Sequence, residues 1–209
     1  MRRVLTLPSA SNTCLLVCDV QERFRPLIWR FPALVNGART LCRAAAALGL
    51  PTALTEQNPA RLGATVPEVR AACAADANVL PKMLFSMVTP EMRDGPLRMA
   101  SPDGGGALVQ HAILCGIEAH VCVQQTALDL LRLGVQVHLV VDAISSQRQG
   151  DRAVALANLT AAGAALTTTE AIVFQLLADA SHPRFKEVQR IVMEHNAEAK
   201  ALEGLDVMA

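Results

Sequence analysis

The sequence predicts an α/β fold of three layers: a doubly wound, mainly parallel sheet of five or six strands with helices on both faces. Three observations carry this expectation. Short apolar runs recur at 13–18, 51–55, 78–81, 107–115 and 135–141, with a sixth at 164–168. Helix-sized segments separate them, which is the alternation of right-handed strand–helix–strand units. Of the 209 residues, 52% are hydrophobic, enough apolar side chain to cover a central sheet on both sides. A chain of this length suits one core, so 1–209 is expected to form a single domain.

Each element has its own reason. The run Thr-Cys-Leu-Leu-Val-Cys at 13–18 is nearly continuous in apolar character, as a strand buried on both faces must be, and it ends at Asp19. From Pro32 onward, Leu34, Val35, Ala38, Leu41, Cys42, Ala45 and Leu48 keep helical spacing, with Pro in the opening turn and Gly49 at the close. Residues 120–133 read as a helix closed by Gly134, and 150–162, 170–180 and 184–195 supply further helical patterns. The cluster Asp103-Gly104-Gly105-Gly106 precedes a strand instead of joining a strand to a helix, so it reads as a flexible turn and not as a phosphate cradle. After about Ala197 the periodicity weakens, which predicts a loosely ordered tail over 197–209.

Composition narrows the function. Nineteen basic residues balance nineteen acidic ones, leaving no net field to hold nucleic acid or anionic lipid. The six cysteines, at 14, 18, 42, 73, 115 and 122, form no CxxC pair and no zinc-spaced cluster. They suit a reducing compartment. No eighteen-residue apolar span or signal-peptide core is present, so the cytosol is the expected location, with a short import signal at the N-terminus left open.

In open α/β sheets, ligands bind outside the carboxyl ends of the strands. Three reactive side chains stand there: Asp19 after 13–18, Lys82 after 78–81, and Cys122 where the 120–133 helix begins. A cysteine in the first turn of a helix meets the positive end of the helix dipole, and a nearby lysine further favours its thiolate. A carboxylate beside it takes the thiol proton and returns it to a leaving group. Taken singly, an Asp after a strand is as readily a helix cap, a lysine a solvated charge, and a cysteine a packing residue. Cys14, Cys18, Cys42 and Cys115 are read as packing residues.

Order and spacing together resemble the isochorismatase-like cysteine hydrolases. The matching segments are Cys18-Asp19-Val20-Gln21-Glu22-Arg23-Phe24, Thr55-Glu56-Gln57, Lys82-Met83-Leu84-Phe85-Ser86 and Cys115-Gly116-Ile117-Glu118-Ala119-His120-Val121-Cys122-Val123-Gln124-Gln125-Thr126-Ala127, continued by Val140-Val141-Asp142-Ala143 and Thr167-Thr168-Thr169-Glu170. The likeness spans roughly 13–180, and Glu56-Gln57 with the segment 182–187 looks most like the branch of isochorismatase domain-containing proteins. The resemblance implies a Rossmann-like fold, Cys122 as nucleophile, Asp19 as general acid and base, and Lys82 as the group that positions and polarises them. It also implies a cis peptide at Ile117–Glu118 that aims the Glu118 amide, with that of Cys122, at a developing oxyanion. Residues 52–66 hold no histidine, unlike the metal-binding relatives, so no catalytic metal and no cofactor are expected. The implied reaction is hydrolysis of a small amide or related carbonyl compound through an acyl-enzyme, by a homo-oligomer.

Around this site, Phe24, Trp29, Gln57, Phe85 and His120 are candidates to line a substrate pocket. As a catalytic base His120 is disfavoured, because positions two apart on a helix face different ways. His111, His138 and His182 read as structural histidines. Two other classes stay open: a non-catalytic binding or scaffold protein on the same fold, and a nuclease, which requires metal-binding carboxylates or a convergent histidine pair beside a basic groove.

Overall fold

Six consecutive residues with no exposed side chain, Thr13–Cys18, form β1 at the centre of the sheet. The computed structural model describes residues 6–99 and 106–206. After a short 3-10 turn at Glu22–Phe24, α1 runs Phe31–Leu48 and ends at Gly49. The chain continues through β2 (Thr52–Gln57), α2 (Pro59–Leu62), α3 (Pro67–Arg70), β3 (Asn78–Lys82), α4 (Pro90–Asp94) and β4 (His111–Gly116). A π-helical turn at Ala119–Val123 leads into α5 (Gln124–Arg132), followed by β5 (Gln136–Ile144), α6 (Gln149–Ala161), β6 (Ala165–Thr167), α7 (Thr169–Leu177) and α8 (Phe185–Asp206).

The strand order is β3-β2-β1-β4-β5-β6, and every neighbouring pair is parallel. The order grows outward from β1 in one direction and then in the other, so the crevice between the ends of β1 and β4 is where helices on opposite faces part. Alternation along β1 builds two cores. Leu15 and Val17 pack with Phe31, Leu34, Ile172 and Val188 on one face. Cys14, Leu16 and Cys18 pack with Met87, Met92, Ala127 and Leu130 on the other. Burial on both faces is what the unbroken apolar run of β1 demands. None of the helices among the described residues is long and apolar enough to cross a membrane.

Three boundaries differ from the sequence reading. The strand expected at 107–115 begins only at His111, because residues 107–109 pair with 97–99 instead: Met99 N donates to Ala107 O and Val109 N to Leu97 O, both at 2.9 Å. The helix expected over 120–133 opens as the π-helical turn. The stretch from 197, expected as a loose tail, continues α8 to Asp206. There Arg39 of α1 pairs with Glu198 at 2.5 Å and the Asn36 amide donates to His195 O at 3.1 Å. Of the glycine cluster, residues 103–105 lie outside the described residues, as do 207–209.

Candidate active site

The last residue of β1 pairs with Thr55 on one side and Gly116 on the other, so the end of the strand is fixed from both edges. Gly116 is required there. With φ at 115°, a Cβ on it would lie 2.1 Å from the Cys18 carbonyl oxygen. The next residue, Asp19, turns into the left-handed region at φ 51°, which an aspartate tolerates better than a branched side chain. That turn places its carboxylate inside the crevice, 1% exposed.

Every oxygen of that carboxylate has a partner. Oδ1 accepts the Thr55 hydroxyl at 2.7 Å, and Oδ2 accepts the Lys82 ammonium at 2.7 Å and the Cys18 thiol at 3.6 Å. Lys82, the last residue of β3, also donates to Gln57 Oε1 at 2.7 Å and to the carbonyls of Leu84 and Phe85 at 3.1 and 2.9 Å. Burial alone drives an ammonium toward neutrality, but the charge of the facing Asp19 carboxylate and the hydrogen bond to it outweigh that effect. The Lys82 pKa is held above that of an ordinary lysine, so it is a fixed cation at neutral pH. A buried pair of this kind is costly to break, since either partner alone becomes an uncompensated charge.

Cys122 is buried in the π-helical turn that follows β4. The Thr126 hydroxyl donates to its carbonyl at 2.6 Å while accepting from Met87 N at 2.9 Å, which ties the turn to the loop after β3. The sulfur lies within 4.8 Å of both the Asp19 carboxylate and the Cys18 sulfur. Burial, then contact with Cys122 and the charge of Asp19, pushes the Cys18 thiol well above its ordinary range, so it stays protonated. Among the described residues, Cys18, Asp19 and Cys122 are the one group close enough to share a metal ion. A cation there would face the Lys82 ammonium across the same carboxylate, an arrangement that opposes it.

The structure thus brings Asp19, Lys82 and Cys122 together and makes the Ile117–Glu118 peptide cis. The Glu118 side chain turns away to accept from Gln147 N at 2.9 Å, leaving its main chain at the turn. The candidate pocket residues divide. Both polar ends of the Gln57 side chain are committed, Oε1 to Lys82 and Nε2 to the Met83 carbonyl at 3.0 Å, so it holds the lysine. Phe24 packs against the α1-side core, while the Phe85 ring is 51% exposed. His120 Nδ1 shares a 3.0 Å hydrogen bond with Ser146 Oγ. Trp29 lies elsewhere. It borders a cavity of about 440 Å³ with Arg30, Asp142, Ser145, Arg152 and His195, which none of the three clustered side chains enters.

Sequence reasoning missed Thr55, whose hydroxyl holds Asp19, and took Cys18 for packing. It also missed Gln21, fully buried, whose amide bridges Gln57 O and Gly63 O at 3.1 and 2.6 Å and whose Oε1 accepts Gln57 N at 2.8 Å. A polar residue two positions after Asp19 was the available signal.

The Isochorismatase domain family matches residues 13–171. Isochorismatase domain-containing protein 2A of Mus musculus is 47% identical over 188 residues, covering 90% of this chain and 85% of that protein. Isochorismatase domain-containing protein 2 of Xenopus laevis is 45% identical over 194 residues, covering 93% and 89%. A solved structure titled MAR1 ribonuclease, from Caenorhabditis elegans, superposes with a TM-score of 0.84 at 42% identity, covering 90% of this chain and 93% of that one. With a domain match across most of its length and relatives alike over nearly all of it, the chain belongs to the isochorismatase family.

Proposed function

We propose that this protein is a metal-independent cysteine hydrolase of a small amide or related carbonyl compound. The observation that carries the reading is the position of the Asp19 carboxylate, hydrogen-bonded to a buried ammonium and within 4.8 Å of the Cys122 sulfur. Asp19 takes the Cys122 thiol proton as the sulfur attacks the substrate carbonyl. The amides of Glu118 and Cys122 receive the developing oxyanion, an interaction worth about 3–4 kcal/mol per donor in the transition state. Protonated Asp19 then gives its proton to the leaving amine, and in the second half-reaction takes one from the water that opens the acyl-enzyme. Lys82 holds the carboxylate in register throughout and keeps its charge.

The test is alkylation of Cys122 by iodoacetamide, mapped against the other five cysteines, followed by a screen of small amides. We expect Cys122 to alkylate first, and Lys82→Ala, checked for folding, to slow it by about tenfold or more, as loss of one charge-assisted contact implies. Turnover of an amide that disappears in Cys122→Ala completes the case. An inert Cys122 in the wild type favours a binding or scaffold role instead. The name of the Caenorhabditis elegans neighbour makes RNA a necessary arm of the screen. Against that reading, His111 and His138 meet at the amino end of the sheet, away from Cys122, and His120 is tied to Ser146. RNA cleavage that survives Cys122→Ala would sink the hydrolase assignment.

Two coarser expectations accompany this. The six free cysteines suit the cytosol. Met83, Leu84 and Phe85, exposed side by side after Lys82, suit a homo-oligomer. Light scattering is expected to give more than one chain per particle, and Leu84→Glu to lower that number.

A further inference from the structure

The proposed mechanism uses one sulfur, yet the crevice holds two. Cys18 has no solvent exposure, whereas Cys122 is 7% exposed, so a reagent entering the crevice meets Cys122 first. The two sulfurs lie within 4.8 Å of each other, and the Asp19 carboxylate is within that distance of both. Cys18 donates to Asp19 Oδ2 at 3.6 Å. No other cysteine is placed to compete. Cys14 sits four residues earlier on β1, about 13 Å away along an extended strand. Cys42 and Cys115 belong to the core on the opposite face of the sheet, against which Cys73 packs.

We propose that Cys18 is a resolving thiol, and that a Cys18–Cys122 disulfide is a reversible modification of the site formed by hydroperoxides. The inference rests on the reading of Cys122 as a nucleophile. In the first step the Cys122 thiolate attacks the distal oxygen of the hydroperoxide. The O–O bond breaks, the sulfur is oxidised to the sulfenic acid, and the remaining oxygen leaves as an alcohol, or as water from hydrogen peroxide, after taking a proton. In the second, Asp19 takes the Cys18 proton and the Cys18 sulfur attacks that of Cys122. The S–O bond breaks, and hydroxide leaves as water with the proton Asp19 holds. The peroxide has gained two electrons and the two thiols have become one disulfide. An external dithiol reverses the change by attacking the more accessible Cys122 sulfur.

Physical placement favours this order. Left alone, a sulfenic acid is carried by further peroxide to the sulfinic and sulfonic acids, which dithiols do not reduce. Cys18, held protonated and out of solvent, is protected from direct oxidation and waits beside the sulfur that reagents entering the crevice meet first. A disulfide needs the sulfurs at about 2.05 Å, so the pair must close by under ~3 Å. Strand pairing on both edges fixes Cys18, and the approach therefore falls to the turn that carries Cys122.

The full chain should be treated with hydrogen peroxide, blocked with iodoacetamide, digested without reduction and mapped by mass spectrometry. The expected product joins the Cys18 and Cys122 peptides with loss of two hydrogens, and dithiothreitol restores Cys122 alkylation. In Cys18→Ser the joined peptide is absent, Cys122 gains two or three oxygens, and recovery by dithiothreitol falls about tenfold or more. The wild-type map decides the matter even if that variant folds poorly. Cys122 oxidised to the sulfinic acid with Cys18 still free overturns the resolving role and leaves the nucleophile standing. Cys122 untouched by both peroxide and iodoacetamide overturns both readings.

Discussion

Asp19 has its charge held by an ammonium and its orientation held by a hydroxyl, and the two contacts make separable demands. Thr55 donates to Oδ1 from a residue that is 1% exposed, so no water stands ready to replace it. Thr55→Val keeps the shape and removes the donor. We expect it to cost about 1–3 kcal/mol in denaturant unfolding, the usual penalty for leaving a buried acceptor short of a partner. Hydrolysis and Cys122 alkylation should fall with it, by about tenfold if the carboxylate loses its aim. Unchanged alkylation in a folded Thr55→Val protein would show that Lys82 alone positions Asp19. The three candidate residues could be picked out of the sequence because each stands at the carboxyl end of a strand or the start of a helix, places that local pattern reveals. Thr55 and Cys18 were not, because their roles arise from being paired across β1 and β2, and no local spacing encodes a register.

Between strands, the same limit appears at the other end of the sheet. His111 and His138 are 27 positions apart in the chain, and each reads singly as a structural histidine. The pairing of β4 with β5 brings their rings to 3.0 Å, Nδ1 to Nε2, and the remaining His111 nitrogen meets the Thr6 hydroxyl at 3.0 Å. Burial, then the facing His111, holds the His138 pKa down to about 4. Burial also lowers that of His111. Both rings are therefore neutral in the folded protein at neutral pH. In the unfolded chain a histidine titrates near 6.5. Between about 6.5 and about 4 the unfolded state binds a proton that folded His138 refuses, so stability falls as pH is lowered through that window and levels off below it. Urea midpoints measured at about pH 7, 6 and 5 should decline, and His138→Gln should flatten the decline. A wild-type midpoint that rises toward pH 5 with no difference in the variant would refute the neutral pair. The sequence placed β4 and β5 correctly in order but started β4 four residues early, because residues 107–109 are apolar enough for the sheet and are claimed by 97–99 instead.

At the scale of the whole molecule, α8 lies outside the family match yet inside the packing. Val188, Ile191 and Val192 are buried against the α1 side of the sheet, and Arg43–Glu194 and Arg39–Glu198 pairs flank them. Periodicity in 184–195 announced the helix, but not that its continuation is helical, because Ala197, Ala199 and Ala201 carry too little apolar contrast to mark a face. Burying three aliphatic side chains is worth about 5–9 kcal/mol before chain ordering is subtracted, as large as the whole net stability of many domains. A chain ending at Pro183 would also strip Asn36, Arg39 and Arg43 on α1 of their α8 partners, and we expect it to lose cooperative unfolding and aggregate. A chain ending at Leu202 keeps all three buried residues, His195 and Glu198, and should melt within about 4 °C of the full protein, the shift that roughly 1 kcal/mol produces at this size. If the chain ending at Pro183 instead melts cooperatively at the full-length temperature, the core closes without α8, and the helix is an appendage to the fold and not one of its layers.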